Sequence, residues 1–348
     1  KEGEDKGEQA DKSEIAKKHH SAAFRSEVWQ TCSSSSFGST KTIYDAGSVR
    51  RLSVSEVPGE ATTGETKTDD SVQEDVIPDT SVSGFFKSFF TSPAKEEEDT
   101  DAEGDVTNEE EDEKYTILAT SLEDTDCHPH VLSPPIMEAL RSHLPFTVRQ
   151  DNYWLKYSMV RDGASMRSLL SKVRSSTRTI IAIETFEGDV LGAFVSSPWR
   201  PHPSGYYGSG EAFLWRLPKS RFSTCKTVEE QIELESKLDI FDWSAKNRNV
   251  QTVTSADGDL VVGGGGPDED PSQGGGSGIT VAADISRGFS EACLTFESPE
   301  LPTEGQKDMF EIANLEVWAL TPVDNINQAE NLELGRQFVF DHGNFVQD

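Results

Sequence analysis

The acidic side chain best placed to do chemistry is Glu211. It follows Gly208 and Gly210 at the entrance to an aromatic run, where a tight turn could present a carboxylate at an open surface. A second carboxylate, from Glu316 or Glu184, would complete the pair that a glycosidase-like hydrolase needs, with the two groups roughly 5 to 9.5 Å apart. The alternative is structural: the Glu211 carboxylate would accept backbone N–H bonds from the glycine turn and pin the sheet.

Thiols are the second chemical candidates. The four cysteines lie far apart in the chain, at Cys32, Cys127, Cys225 and Cys293. Neither Cys225 nor Cys293 has a local cluster of basic residues that would lower its pKa, so we expect inert thiols. Cys127, His128 and His130 could offer soft ligands, but no second cluster completes a tetrahedral site. The sequence therefore predicts no metal and no cofactor.

A glycine run, Gly263 to Gly266, could suggest a nucleotide-binding loop. The run is followed by Pro267 and three acidic residues, Asp268 to Asp270, which would repel phosphate, so a crowded turn between strands is the favoured interpretation. The chain also lacks the serine-hydrolase elbow, the zinc-protease motif and the P-loop. Enzymatic activity stays open, but these patterns favour a protein without it.

Charge limits the classes of partner. The chain of 348 residues has 62 Asp and Glu against 32 Lys and Arg, a formal net charge of −30. A field of that sign repels phosphate backbones, so we predict protein partners and no nucleic acid. No apolar run is long enough to cross a bilayer. We expect a cytoplasmic monomer, with nuclear and mitochondrial locations as alternatives, because residue 1 is Lys and a removed leader stays possible.

Composition divides the chain near Lys114. Before it, polar and acidic residues dominate, and apolar side chains are too sparse to offset the entropy cost of ordering the backbone. Residues 1–114 are therefore predicted to be disordered, with twelve acidic residues between Ala94 and Lys114. Residues 115–322 are predicted to fold, and residues 323–348 to form an extension that packs on the folded domain.

Two short motifs stand out within residues 1–114. Arg50-Arg51-Leu52-Ser53 is typical of sites for basophilic kinases, which makes Ser53 a candidate phosphosite. Residues 84–93 carry four phenylalanines on one face of a helical turn. They would dock either on the folded domain or in a partner's groove.

The globular part contains two helical patterns and then many strand patterns. Pro134-Pro135 begins an amphipathic helix, and Ser165 is a candidate N-cap for a second helix. A hairpin turn is predicted at Phe186 to Asp189. Seven short β-branched and aromatic runs follow the helices, at residues 179–185, 190–196, 211–217, 238–243, 260–262, 279–282 and 315–320. This pattern predicts an α+β, mainly β domain: a two-sheet antiparallel sandwich flanked by a few helices.

The order of motifs resembles the TLDc domain of the oxidation-resistance proteins, over about residues 115 to 322. Trp154 to Ser158 and the segment through Leu170 resemble the family's opening helix and loop, and Gly192-Ala193-Phe194 resembles one of its strands. The other positions that match the family pattern are Gly208, Gly210, Glu211, Phe213, Gly263, Gly264, Gly265, Gly266, Cys293, Phe296, Glu316 and Trp318. The chain departs from the family at the insertion Pro267 to Gly278, at Leu294, and in the polar connection Lys219 to Glu235.

This resemblance implies a regulatory binding module and brings no accepted reaction. It implies protection against oxidative stress and binding to subunits of the vacuolar proton pump (V-ATPase), with an influence on pump assembly. The alternative is a hydrolase in which Glu211 is the general acid or base.

Overall fold

The computed structural model describes residues 22–34, 43–44, 115–121, 124, 130–201, 205–223, 225, 227–255, 258–265, 276–303 and 309–342. All of these residues belong to one compact unit, and residues 51–110 lie outside the description.

Within those residues the structure has six α-helices, one 3₁₀ helix and twelve strands. The helices are α1 Ala22–Ser34, α2 Pro134–Arg141, α3 Met159–Asp162, α4 Met166–Val173, α5 Val228–Glu235 and α6 Ile326–His342, with the 3₁₀ turn at Phe146–Val148. The strands are β1 Ile43–Tyr44, β2 Thr116–Leu118, β3 Asn152–Ser158, β4 Thr179–Thr185, β5 Val190–Val195, β6 Phe213–Arg216, β7 Asp239–Asp242, β8 Gln251–Val253, β9 Leu260–Val262, β10 Ile279–Val281, β11 Arg287–Phe289 and β12 Met309–Thr321.

The strands join into one mostly antiparallel sheet that does not close into a barrel. Its order is β7-β6-β5-β4-β12-β11-β10-β9-β8, and β3 also pairs with β12 and with β2. Parallel pairing occurs in the described strands where β2 meets β1 and β3. The long strand β12 pairs with β11 near its start and then lies between β4 and β3. It therefore connects the two ends of the sheet.

Strands β4 and β5 are buried on both faces, which explains their almost unbroken apolar sequence. Ile181 and Ile183 of β4 point into one core with side chains of β8, β9 and β10. The alternate residues Ile180 and Ala182 point into a second core, which α2 and β2 complete. Because side chains of a strand alternate in direction, one strand serves two cores.

The first described helix packs on another helix, and the last one packs on the sheet. Val28 and Cys32 of α1 contact Val228 and Ile232 of α5. Ala329 of α6 is buried with Leu118, Trp154 and Ala319. On the opposite face of α6, Leu334 and Phe338 are 62% and 64% exposed, so the helix attaches through the face that carries Ala329 and the buried Glu333.

Most predicted elements of the globular part are confirmed. Ser165 caps α4 by accepting a hydrogen bond from the Ser168 backbone N–H at 3.3 Å. Gly188 takes a φ of +81° in the turn between β4 and β5. All seven strand patterns correspond to strands, at β4, β5, β6, β7, β9, β10 and β12.

Three sequence predictions need correction. Trp154 to Ser158 lie in strand β3 and not in an opening helix. The polar connection before Glu235 contains α5, which the sequence analysis missed because its charged residues hide a weak apolar face. Helix α1 lies within residues 1–114, which were predicted to be disordered. Its buried apolar residues Val28 and Cys32 pack on helix α5, which is distant in the sequence and therefore gives no local signal. The rest of residues 1–114 falls outside the description, apart from β1.

Gly192 is expected to be indispensable to the sheet. It lies in β5 between Ala182 of β4 and Trp215 of β6. A methyl group there would collide with the Ile181 backbone oxygen and lie 2.6 Å from the Trp215 ring. Because overpacking typically costs about 1–3 kcal/mol, Gly192→Ala should lower the free energy of unfolding by about 3 kcal/mol in urea titrations.

The matched control is Gly335→Ala in helix α6. Apart from the adjacent residues and the backbone of its own helix, no atom lies within 4 Å of the added methyl group. Alanine favours a helix interior over glycine by about 0.5–1 kcal/mol, so this variant should be slightly more stable than the wild type. Equal effects of the two substitutions would show that the close packing around Gly192 is not what requires glycine.

Candidate functional site

Glu184, the possible partner of Glu211, belongs to a buried ionic cluster. It lies on β4 with 2% of its surface exposed. Arg25 of α1 forms a salt bridge with Glu184 and also donates to the His130 backbone oxygen at 3.3 Å. Arg221 lies 3.5 Å from the other Glu184 oxygen. A buried carboxylate needs such partners because its desolvation is costly.

Arg221 extends the cluster to a second carboxylate, Glu235 at the end of α5. Its Nε lies 2.7 Å from Glu235 Oε1, and its Nη2 donates to the Val131 backbone oxygen at 2.7 Å. Ser133 and Gln231 also donate to Glu235. Burial opposes the charge of Arg221, but Glu235 and Glu184 outweigh it and raise the pKa of the guanidinium. The cluster therefore keeps its charges paired inside the protein.

Glu316 of β12, the other possible partner of Glu211, is fully buried. His130 Nδ1 lies 2.8 Å from Glu316 Oε1. The Leu132 backbone N–H and the Trp318 indole N–H donate to Glu316 Oε2 at 3.1 and 2.9 Å. This carboxylate holds the chain before α2 against the sheet, and both of its oxygens have hydrogen-bond partners.

Glu211 lies elsewhere, exposed in an open groove of about 580 Å³. The other charged residues that line this groove in the described part of the chain are Arg178, Arg200 and Arg336. The structure does not bring Glu211 together with Glu184 or Glu316, because both of these are internal. Nor does the Glu211 carboxylate accept a hydrogen bond from any described residue, so the predicted pinning of the glycine turn is wrong. Its backbone N–H instead donates to Ser209 Oγ at 3.3 Å.

The glycine run is a crowded turn over its described residues. Gly263 and Gly265 have φ angles of +79° and +86°, and a Cβ on Gly263 would lie 2.6 Å from Cys293 Sγ. Thr295 holds the turn: its Oγ1 lies 2.7 Å from the Gly264 oxygen and 3.0 Å from the Gly264 N. Phe296 is buried beside it. Gly266 lies outside the described residues.

The described thiols are poorly suited to react with oxidants. Cys293 is 2% exposed. Burial, with a smaller contribution from Glu235, raises the pKa of Cys32 to about 12. Burial and the charge of Glu230 also raise the pKa of the partly exposed Cys225. Since the thiolate is the reactive form, these environments oppose direct scavenging.

Several predicted positions cannot be placed. Ser53, the phenylalanine motif of residues 84–93, Cys127 and His128 lie outside the described residues. In the described ranges, no group of three or more His, Cys, Asp or Glu is arranged to hold a metal ion. The same ranges contain no helix long and apolar enough to span a bilayer.

The sequence analysis did not predict that one buried cluster contains Arg25, Arg221, Glu235 and His130. A signal for α1 existed, because Arg25, Val28, Trp29 and Cys32 share one helical face. No spacing in the sequence indicates that this face meets β4, since the two segments are 159 residues apart at their ion pair.

The fold and the site define a class: a mostly antiparallel-sheet domain in which the motif residue Glu316 and the neighbouring Glu184 are internal and paired. The sequence pattern of the TLDc domain matches residues 128–321. The chain belongs to the TLDc domain family.

Named relatives agree with this assignment. The chain is similar to Oxidation resistance protein 1 of Kluyveromyces lactis, 27% identical over 201 residues, which are 54% of this chain and 74% of that protein. It is also similar to Nuclear receptor coactivator 7 of Homo sapiens, 27% identical over 193 residues, and to Oxidation resistance protein 1 of Rattus norvegicus, 27% identical over 190 residues. The matched segment is 55% and 54% of this chain, but only 17% of the human protein and 19% of the rat protein.

The buried pair of Arg25 and Glu184 gives a stability prediction. Arg25→Met should lower the free energy of unfolding by about 3–5 kcal/mol, because it removes one partner of a buried ion pair and leaves the carboxylate under-compensated. Glu184→Gln in the same chain should restore part of the loss, with a coupling of about 0.5–3 kcal/mol. Urea unfolding of the four members of this double-mutant cycle measures both quantities.

Glu27→Gln provides the control, because Glu27 lies on the same helix and is exposed. It should change stability by no more than about 0.5 kcal/mol. Additive effects of the two substitutions at Arg25 and Glu184 would contradict a direct pair.

Proposed function

We propose that this chain is a non-enzymatic binding module that protects cells against oxidative stress by binding subunits of the V-ATPase and regulating pump assembly. The names of its relatives support the oxidative-stress role. The V-ATPase as partner follows from what the resemblance to oxidation-resistance proteins implies. The proposal takes the protein to act as a cytoplasmic monomer.

One observation carries the choice of a binding module over a hydrolase. Glu184 and Glu316 are buried, and each is bound to structural partners. Glu211, the exposed acid, lies in a groove whose other charged lining residues are arginines. A two-carboxylate hydrolase needs both groups at one open cleft, so this arrangement favours binding at the surface.

The proposal also retains the finer features of the predicted architecture. The active unit is residues 115–322 in a two-sheet antiparallel sandwich, with residues 323–348 as an extension on it. What supports a two-layer arrangement is that Ile181 and Leu191 share a core with Val253, Leu260 and Val281. These residues come from strands on opposite sides of β12 in the strand order.

The proposal predicts that Glu211→Gln leaves protection intact. Cells that lack their own TLDc protein should survive peroxide equally well with the wild-type chain and with this variant. The purified variant should also bind isolated V-ATPase subunits at least as tightly as the wild type, measured by biolayer interferometry. Glu187→Gln, at another exposed carboxylate, is the matched control.

Loss of protection with Glu211→Gln alone, in a chain of unchanged stability, would favour the hydrolase alternative. A panel of glycoside and ester substrates should then reveal an activity that this variant lacks. Protection without any binding to V-ATPase subunits would contradict the assigned partner and leave the non-enzymatic role in place.

A further inference from the structure

Two clefts with shared lining residues lie beside α4 and α6. The first, of about 580 Å³, contains Glu211, and the second has a volume of about 420 Å³. They share Pro198 and Arg200, which lie between them in the connection after β5. We call this surface the arginine groove, after the residues Arg167, Arg174, Arg178, Arg200 and Arg336 that line it.

These arginines come from four separate segments of the chain. Arg167 and Arg174 lie in α4 and at its end, Arg178 precedes β4, Arg200 follows β5, and Arg336 lies in α6. A concentration of positive charge is unexpected in a chain with a net charge of −30. Folding brings these like charges to one surface, where they repel one another unless a counter-charge is present.

Most of this charge is not neutralised within the protein. Arg174, Arg178, Arg200 and Arg336 form no salt bridge in the described part of the chain, whereas Arg25, Arg161 and Arg216 each do. Asp151 is close enough for Arg178 and Arg336 to act on it. Burial nevertheless raises the pKa of Asp151, and the residue is 7% exposed and does not line the groove.

Internal hydrogen bonds hold the walls of the groove in place. Tyr207 Oη accepts from the Arg200 backbone N–H at 3.0 Å and lies 2.9 Å from the Arg200 oxygen, which fixes this loop. Glu333 of α6 accepts from Lys156 Nζ at 2.7 Å and from Ser175 Oγ at 3.0 Å. These contacts anchor the helix that carries Arg336. A preorganised site loses less conformational entropy when a ligand binds.

We propose that the arginine groove binds an acidic segment of a protein partner. Guanidinium groups pair with carboxylates in a planar, two-point geometry, and Ser196 and Gln337 in the lining suit the polar backbone of a peptide. The net charge of −30 disfavours long polyanions such as nucleic acid, because they meet the field of the whole chain. A flat anionic membrane cannot enter a groove, whereas an extended peptide can. The inference goes beyond the proposed function, because it names a partner chemistry that does not depend on the V-ATPase.

The test uses the full chain and a fluorescein-labelled peptide of ten glutamates, with a ten-glutamine peptide as neutral probe. Fluorescence anisotropy should show binding of the acidic peptide at about 0.1 M salt and loss of binding at about 1 M salt, because the Debye length falls from about 10 Å to about 3 Å. Arg178→Glu combined with Arg200→Glu should weaken binding by about tenfold or more. Arg287→Glu, at an exposed arginine on β11, should leave the affinity within about twofold.

A gain-of-binding variant protects the test against loss of folding. Glu211→Gln removes the negative charge that lines the groove and should tighten binding of the acidic peptide by about two- to fivefold. If the double variant Arg178→Glu with Arg200→Glu unfolds, loss of binding is measured with the single substitution Arg200→Ala, because Arg200 is exposed. Equal binding of the glutamate and glutamine peptides, or equal loss with Arg287→Glu, would overturn the proposal.

Competition experiments compare the acidic peptide with two other anionic ligands, a nucleic acid and a membrane. A single-stranded DNA 20-mer or phosphatidylserine vesicles that bind this groove more tightly than the acidic peptide would also overturn it. The same variants are then measured against V-ATPase subunits. Peptide binding without V-ATPase binding would contradict only the proposed function, and V-ATPase binding without peptide binding would contradict only this inference.

Discussion

The burial of Glu184 and Glu316 on neighbouring strands is the constraint on which the rest of the domain depends. Asn314 and Glu316 of β12 pair in register with Glu184 and Ala182 of β4, so the two carboxylates lie near one another inside the fold. An ionised carboxylate in the interior costs several kcal/mol unless charged and hydrogen-bonding partners surround it. Those partners come from α1, from the turn before α5 and from the segment before α2. Three distant parts of the chain must therefore meet at one place.

This constraint explains why Glu316, a possible catalytic partner of Glu211 by sequence, lies in the interior. The indole of Trp318, the imidazole of His130 and the Leu132 backbone N–H occupy the oxygens of Glu316. A buried ion pair adds little net stability over a well-packed apolar group, but removing one partner is severe. The ionic cluster around Glu184 and Glu316 therefore helps to determine which segments pack together. Helix α1 joins the domain partly through its Arg25 in this cluster.

The arginine groove has the opposite charge from the chain as a whole. Acidic groups with structural roles are internal and paired, while arginines gather around the groove that also holds Glu211. Charge that is neutralised inside cannot act on a partner, whereas exposed guanidinium groups can. A separation of this kind suits a protein that acts through contacts at its surface.

The sequence by itself determined the local elements and the family. β-branched runs predicted β4, β5 and β9, Ser165 marked the start of α4, and ordered motifs such as Gly192-Ala193-Phe194 identified the TLDc domain. These features depend on neighbours within a few residues, which a sequence displays directly. Only the tertiary structure decided where the carboxylates lie. All three candidate acids are glutamates in the sequence. Strand register and packing bury Glu184 and Glu316 and leave Glu211 exposed. Helix α1 was missed for the same reason, because the partners that stabilise Arg25 and Trp29 are more than a hundred residues away.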